Sequence, residues 1–272
     1  MKFAVFSDVH SNLVAFNTAL DDIRKQNVEK FFCLGDMLGY GPRPTECIDL
    51  MMKLCDEGKV EVCLLGNHDQ ATLYDPEGFN HIAEEAVYWT RDVLESARGA
   101  KASARWDFIA ERPKMFRYED SFLFVHGSPR NPLNEYVFPE DVDDKRKMAS
   151  LFKLVPKYCF LGHTHVPGVF VDETNNNGNY QYFSFREITE NFNGRYPLGD
   201  QKLLINVGSI GQPRDQNPES CYVVVQYEEN SSDNYVEYHR VRYDVSKTQM
   251  EIQEIPRLAE YQFLWKRLEE GR

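Results

Sequence analysis

Five short apolar runs, Lys2–Ser7, Lys30–Leu34, Val60–Leu65, Phe122–Val125 and Tyr158–Leu161, each end on a turn that carries an oxygen or imidazole donor. Runs this short, bounded by Gly, Asn and Asp, suit buried strands better than helices. Polar groups that recur at strand ends constrain the fold strongly. They must be solvated or gathered at one edge, and the apolar runs between them must be covered on both faces.

The connections supply that cover. Leu13, Phe16, Leu20 and Ile23 share one helix face, and Pro44 opens a second amphipathic stretch through Ile48, Met51 and Leu54. His81–Ser96, Ser103–Ala110 and a charged stretch around Asp141–Lys153 also read as helices, whereas Gly66–Asp69 reads as a loop. From Val169 onward the pattern predicts strands with little helix: Val169–Val171, Gln181–Phe185, Leu203–Val207, Tyr222–Tyr227 and Tyr235–Tyr243, paired antiparallel. A last helix follows Pro256, with Leu258, Phe263, Leu264 and Leu268 on its apolar face. The expected architecture is α/β: a four-layer α-β-β-α sandwich of two mixed sheets, with the functional loops at the strand carboxyl-end edge. A single domain over 1–272 is expected, with 172–202 as an insertion between core strands and Asn175–Asn179 as its hairpin tip.

Composition narrows the function. With 42% hydrophobic and 27% charged residues the chain is an ordinary globular one, and its net charge of −12 argues against nonspecific nucleic-acid binding. The six cysteines form no C-x-x-C pair and lie mostly in apolar runs, as buried reduced thiols do. Met1-Lys2 leads straight into Phe3-Ala4-Val5-Phe6, and no apolar run approaches the ~18 residues of a membrane span. The expectation is a cytoplasmic protein with no membrane partner.

The strand-end donors are Asp8 and His10, Asp36, Asn67, His126, and His163 with His165. Each alone is an ordinary turn residue. Together they place carboxylate, amide and imidazole donors after five successive runs, which is the composition of a metal site for Mn, Fe, Zn, Co or Ni. The ordered series Asp8-x-His10, Gly35-Asp36, Gly66-Asn67-His68-Asp69, His126 and Gly162-His163-x-His165 resembles the calcineurin-like metallophosphoesterases. Gly39-Tyr40-Gly41-Pro42, His126–Arg130 and Gly208–Arg214 look like its bacterial phosphodiesterase-type branch.

The resemblance implies two metal ions, Mn or Fe foremost, with Zn, Co, Ni or Mg also compatible. Asp8, His10, Asp36 and His165 would hold one, and Asp36, Asn67, His126 and His163 the other, with Asp36 as bridge. Such ions, ~3.5–4 Å apart, lower the pKa of a bound water and clamp an in-line displacement. His68 would stay off the metals and protonate the leaving oxygen or stabilise the transition state, with Asp69 able to orient it. The family's protein phosphatases carry a polar Asp-Arg pair three and four residues after the bridging Asp, where this chain has Gly39-Tyr40. While the branch resemblance favours a phosphodiester, that departure weakens a protein-phosphatase reading and removes the Asp that would orient His68 and one phosphate-holding Arg. Arg43, Arg130 and Arg214 lie in loops near motifs and are the candidates to replace it. Phosphomonoester, phosphoprotein and nucleotide hydrolysis are alternatives, as is a non-catalytic binding scaffold. The loops Tyr74–Asn80, Ser128–Phe138 and Asp172–Lys202 would select the substrate.

Overall fold

The computed structural model describes residues 1–99, 101–173 and 179–272. In chain order the elements are β1 (Lys2–Phe6), α1 (Leu13–Lys25), β2 (Lys30–Cys33), α2 (Pro44–Asp56), β3 (Val60–Cys63), α3 (Asn67–Leu73), α4 (His81–Ser96), α5 (Lys101–Ala110), β4 (Met115–Tyr118), β5 (Phe122–Val125), α6 (Lys145–Phe152) and β6 (Tyr158–Leu161). There follow β7 (Gly168–Asp172), β8 (Tyr180–Ser184), α7 (Phe185–Phe192), β9 (Arg195–Pro197), β10 (Leu203–Asn206), β11 (Ser220–Gln226), β12 (Tyr235–Val241), α8 (Val245–Gln253), α9 (Pro256–Ala259) and α10 (Gln262–Glu270).

The strands form two six-stranded sheets, ordered β3-β2-β1-β11-β12-β9 and β4-β5-β6-β10-β7-β8. Both are mixed: β1, β2 and β3 run parallel and β11 antiparallel to β1, while β5, β6 and β10 run parallel and β4 and β7 antiparallel to their neighbours. Alternate residues of each run enter different cores. Phe3, Val5, Phe32, Phe122 and Phe124 point between the sheets, whereas Ala4, Phe6, Phe31 and Cys33 face α1 and α2, and Leu123 and Val125 face α6. That is why the runs are apolar throughout rather than alternating: both strand faces are buried. Phe32 and Phe124 stack at 4.5 Å between centroids and tie the two sheets together, while Phe124 stacks on Phe160 of its own sheet at 5.2 Å.

Several expectations need correction. Gly66–Asp69 is no loop, because Gly66 caps α3 and Asn67, His68 and Asp69 form its first turn. The second half is not wholly antiparallel, since β10 lies parallel to β6 in register Leu203↔Tyr158. Four further elements were not expected, β4, α7, β9 and α8, and the segment after Pro256 divides into α9 and α10. Within 172–202, β8 joins β7 at the edge of one sheet and β9 joins β12 at the edge of the other, while Ile188 of α7 enters the inter-sheet core. Residues 175–178 of the expected hairpin tip lie outside the described residues.

Candidate metal centre

The loops after β1, β2, β3, β5 and β6 meet at one edge, and backbone hydrogen bonds latch them to one another. Asp8 N donates to Gly35 O at 3.0 Å, His10 N to Asp36 O at 2.9 Å, Gly162 N to His126 O at 3.0 Å and Gly211 N to Asp8 O at 2.9 Å. Asp8, His10, Asp36, His163 and His165 all have φ between 48° and 66°. This left-handed backbone costs an L-residue about 1–2 kcal/mol each, so five strained donors side by side are kept only because the latched loops over-determine them. Gly66 permits a close approach to the bridging position: a Cβ there would stand 2.0 Å from Asp36 Oδ1.

Two donor sets result. In the first, His10 Nε2 and His165 Nε2 are 3.1 Å apart, and Asp8 Oδ1 lies 3.7 and 3.1 Å from them. His10 Nδ1–H donates to Leu38 O at 2.9 Å and His165 Nδ1–H to Gln212 O at 2.5 Å, which fixes both tautomers. Each Nε2 therefore presents a lone pair to the other. Burial holds both imidazoles below their ordinary pKa, so no proton relieves that contact, and a cation between them would. In the second set, His126 Nε2 stands 2.9 Å from Asn67 Oδ1 and 3.1 Å from His163 Nδ1. Burial, reinforced by the neighbouring His126, brings the His163 pKa down to about 3. Burial opposes charge on His126 too, but the attraction of Asp36 and their hydrogen bond outweigh it and raise the pKa to about 9.

Asp36 belongs to both sets. Its Oδ2 lies 3.7 Å from His10 Nε2 and 3.4 Å from His126 Nε2, while Oδ1 accepts from His68 N at 2.8 Å in the first turn of α3. Donor spacings of this size fit a cation bonded at roughly 2.0–2.2 Å. Asp8 Oδ1, His126 Nδ1 and His163 Nε2 are buried with no hydrogen-bond partner. All seven expected ligands are thus brought together.

His68 stands beside them in an aromatic box, 4.5 Å from the Tyr40 ring, 4.7 Å from Phe79 and 4.9 Å from His10. Its Nδ1 is buried without a partner, and Gly39 closes on it so nearly that a Cβ would come within 2.5 Å. Burial, opposed by Asp36 and helped by Arg214, lowers its pKa to about 4. Asp69 does not orient this ring. Its carboxylate turns back and accepts from Gly66 N at 3.0 Å, Leu38 N at 3.0 Å and Met37 N at 3.3 Å, clamping the β2 and β3 loops together. Burial and nearby Asp36 push its pKa up to about 7 against the Gly66 and Leu38 N–H donors.

The three arginines separate. Arg43 is paired with Glu251 at 3.2 Å and Glu46 at 3.5 Å, and Arg130 with Glu135 at 3.1 Å, so both guanidiniums are already held by carboxylates. Arg214 has no carboxylate partner among the described residues. Its Nη2 donates to Gln212 Oε1 at 2.8 Å, its Nε is buried and unpartnered, and its guanidinium lies 5.8 Å from the Tyr40 ring centroid. His81 and His239 lie outside the cluster, one bonded to Tyr261 OH and one stacked on Tyr222.

A cavity of about 320 Å³ opens against His68, Asn67 and His163, walled by Tyr40, Phe79 and Tyr136. It shares Asn67, Glu77, Phe79 and Asn134 with a neighbouring one of about 580 Å³. Two of the expected selecting loops, Tyr74–Asn80 and Ser128–Phe138, line these cavities, whereas no described residue of 172–202 does. Sequence reading missed Tyr40, Phe79 and Tyr136 as neighbours of the histidines. Tyr136 stacks on His163 at 3.8 Å. The only signal for it was an aromatic pair, Tyr136 and Phe138, in a polar loop.

A family model described as the calcineurin-like phosphoesterase superfamily domain matches residues 1–230. An uncharacterised protein of Methanocaldococcus jannaschii is 34% identical over 248 residues, 90% of this chain and 88% of that one. The crystal structure of a metallophosphoesterase from Sphaerobacter thermophilus is similar over 100% of both chains, with 30% identity and a TM-score of 0.76. A hypothetical protein from Pyrococcus horikoshii shares the fold at 18% identity, with a TM-score of 0.71 over 100% of this chain and 98% of that one.

Proposed function

The chain belongs to the calcineurin-like phosphoesterase superfamily, and from that premise we propose that it hydrolyses phosphate esters with two divalent cations, a phosphodiester being the favoured substrate. The observation that carries this reading is Asp36 Oδ2, placed within 3.7 Å of His10 Nε2 and 3.4 Å of His126 Nε2 so that one oxygen serves two donor sets. Asp8, His10, Asp36 and His165 would hold one ion, and Asp36, Asn67, His126 and His163 the other. Mn or Fe suits this oxygen-and-imidazole set, as do Zn, Co, Ni or Mg, whereas thiolate-loving ions do not. Two bound cations would supply Lewis-acid polarisation of the phosphoryl group and an activated water.

The chain's own residues do the rest. His10 and His165 are fixed in the tautomer that presents Nε2, by their bonds to Leu38 O and Gln212 O. His68 lines the cavity beside Asn67, which supports its role as the group that would meet the leaving oxygen. Its ring is held uncharged near neutral pH, and a neutral imidazole still carries one N–H with which to stabilise developing negative charge. Arg214, free of any carboxylate among the described residues, would bind a non-bridging phosphate oxygen. Support for a diester is the room for two organic groups in the adjoining cavities of about 320 and 580 Å³.

The direct test is turnover of bis(4-nitrophenyl) phosphate against 4-nitrophenyl phosphate with added Mn²⁺. A higher kcat/KM for the diester is expected. A higher value for the monoester makes the protein a phosphomonoesterase, and inactivity on both with either Mn²⁺ or Fe²⁺ removes the hydrolase reading.

A further inference from the structure

The cavity of about 320 Å³ against His68 combines flat aromatic walls with exposed carboxylate and amide groups. Phe79 meets His68 edge-on at 4.7 Å and Tyr40 lies 4.5 Å from it, so both rings border the space the leaving group must occupy. Tyr136, 42% exposed, forms the facing wall. Glu77 and Asn134 line the same space as exposed side chains, with no protein hydrogen bond or ion pair of the carboxylate or amide among the described residues, so water solvates both and a ligand could displace it. Asn80, which also lines it, spends its Oδ1 on capping α4 at Ala83 N, 3.0 Å, and retains its amide donors.

Each feature selects chemically. Aromatic walls favour a planar or apolar face. An unpaired carboxylate in a wall accepts hydrogen bonds from hydroxyl or amino groups and repels a second phosphate. Two amides can both donate and accept. Resting on the phosphoesterase reading above, we propose that this cavity is the leaving-alcohol pocket and that it takes a neutral nucleoside-type alcohol, a flat ring joined to hydroxyls, with Glu77 rejecting alcohols that carry their own phosphate. Glu77, Asn134 and Phe79 are its specificity-determining residues. Asn67 and His163 close its inner end, and with the other cation ligands and Arg214 they would serve the scissile phosphate.

The test uses the Mn²⁺-loaded full chain and three competitors: orthophosphate, thymidine 5′-monophosphate and thymidine 3′,5′-bisphosphate. Inhibition constants against bis(4-nitrophenyl) phosphate should show the monophosphate binding at least tenfold tighter than orthophosphate and at least tenfold tighter than the bisphosphate. Glu77→Gln should shrink the discrimination against the bisphosphate at least fivefold, and Phe79→Leu should shrink the advantage over orthophosphate by a similar factor. Bisphosphate binding as tightly as monophosphate, or a discrimination that Glu77→Gln leaves in place, overturns the proposal. Should the protein hydrolyse nothing, calorimetric affinities for the same three anions still read the pocket, so failure of the hydrolase reading and failure of this one are separable.

Discussion

Asp36 concentrates the account in one side chain. Its Oδ1 is engaged by His68 N at 2.8 Å, leaving Oδ2 to face both donor sets. His68 has a ring nitrogen within 4.8 Å of donor atoms of His10 and Asp36, but Tyr40, Phe79 and Gly39 enclose its ring and the proposed role keeps it off the metals. His68→Ala should therefore slow ester hydrolysis by about 10²–10⁴, the usual span for a positioned proton donor. Elemental analysis should find its metal content unchanged, and loss of an ion on mutation would make His68 a ligand instead. Asp69 makes the opposite case. Asp69→Ala removes the acceptor for three buried N–H groups, so urea denaturation should report a loss of about 3 kcal/mol. Normal stability combined with abolished turnover would return Asp69 to the chemistry.

Elements explain which parts of this arrangement were legible in the chain. Strand ends were readable because β1, β2, β5 and β6, and the last residues of edge strand β3, are buried on both faces, which makes their apolar runs abrupt and their terminal Asp, Asn and His conspicuous. The first turn of α3 was not, because Gly66-Asn67-His68-Asp69 is composed like a turn and its helical state depends on Asp69 reaching back to Gly66 N. β4 escaped notice as an edge strand half exposed at Met115 and Arg117, and α7 because Phe183, Phe185 and Phe192 read as more of the surrounding strand composition. The parallel pairing of β10 with β6 joins residues ~45 apart, beyond any local pattern. Asp and His adopt left-handed backbone more readily than most residues, but residue type alone does not single out Asp8, His10 or His165 for it. The sheet contact offers a test at this scale: Phe124 stacks between Phe32 and Phe160, so Phe124→Ala should cost about 3–5 kcal/mol in denaturant unfolding. A cost below about 1 kcal/mol would mean that the sheets do not depend on that stack.

For the whole molecule the donor clusters set a balance between function and stability. Buried Asp8 and Asp36, strained loops and facing imidazole lone pairs all oppose folding in the absence of cations. Cation binding should offset that cost. At one hundred times the dissociation constant a single site contributes about 2.7 kcal/mol, so the unfolding temperature should rise by about 5 °C or more when Mn²⁺ replaces chelator. An unchanged midpoint would mean that the folded state does not bind the ion preferentially. No helix among the described residues is long and apolar enough to cross a membrane. With a net charge of −12, the surface would repel a polyanion, leaving a cation-filled cleft as the place where a phosphate ester is attracted.

The central claim is that one carboxylate oxygen organises two catalytic cations, and hydrolysis of bis(4-nitrophenyl) phosphate by chelator-treated protein titrated with Mn²⁺ tests it most directly. Turnover should be absent without metal and climb to a plateau at two equivalents per chain, with Asp36→Asn flat throughout. A plateau at one equivalent, or turnover indifferent to Mn²⁺ and to Asp36, would contradict it.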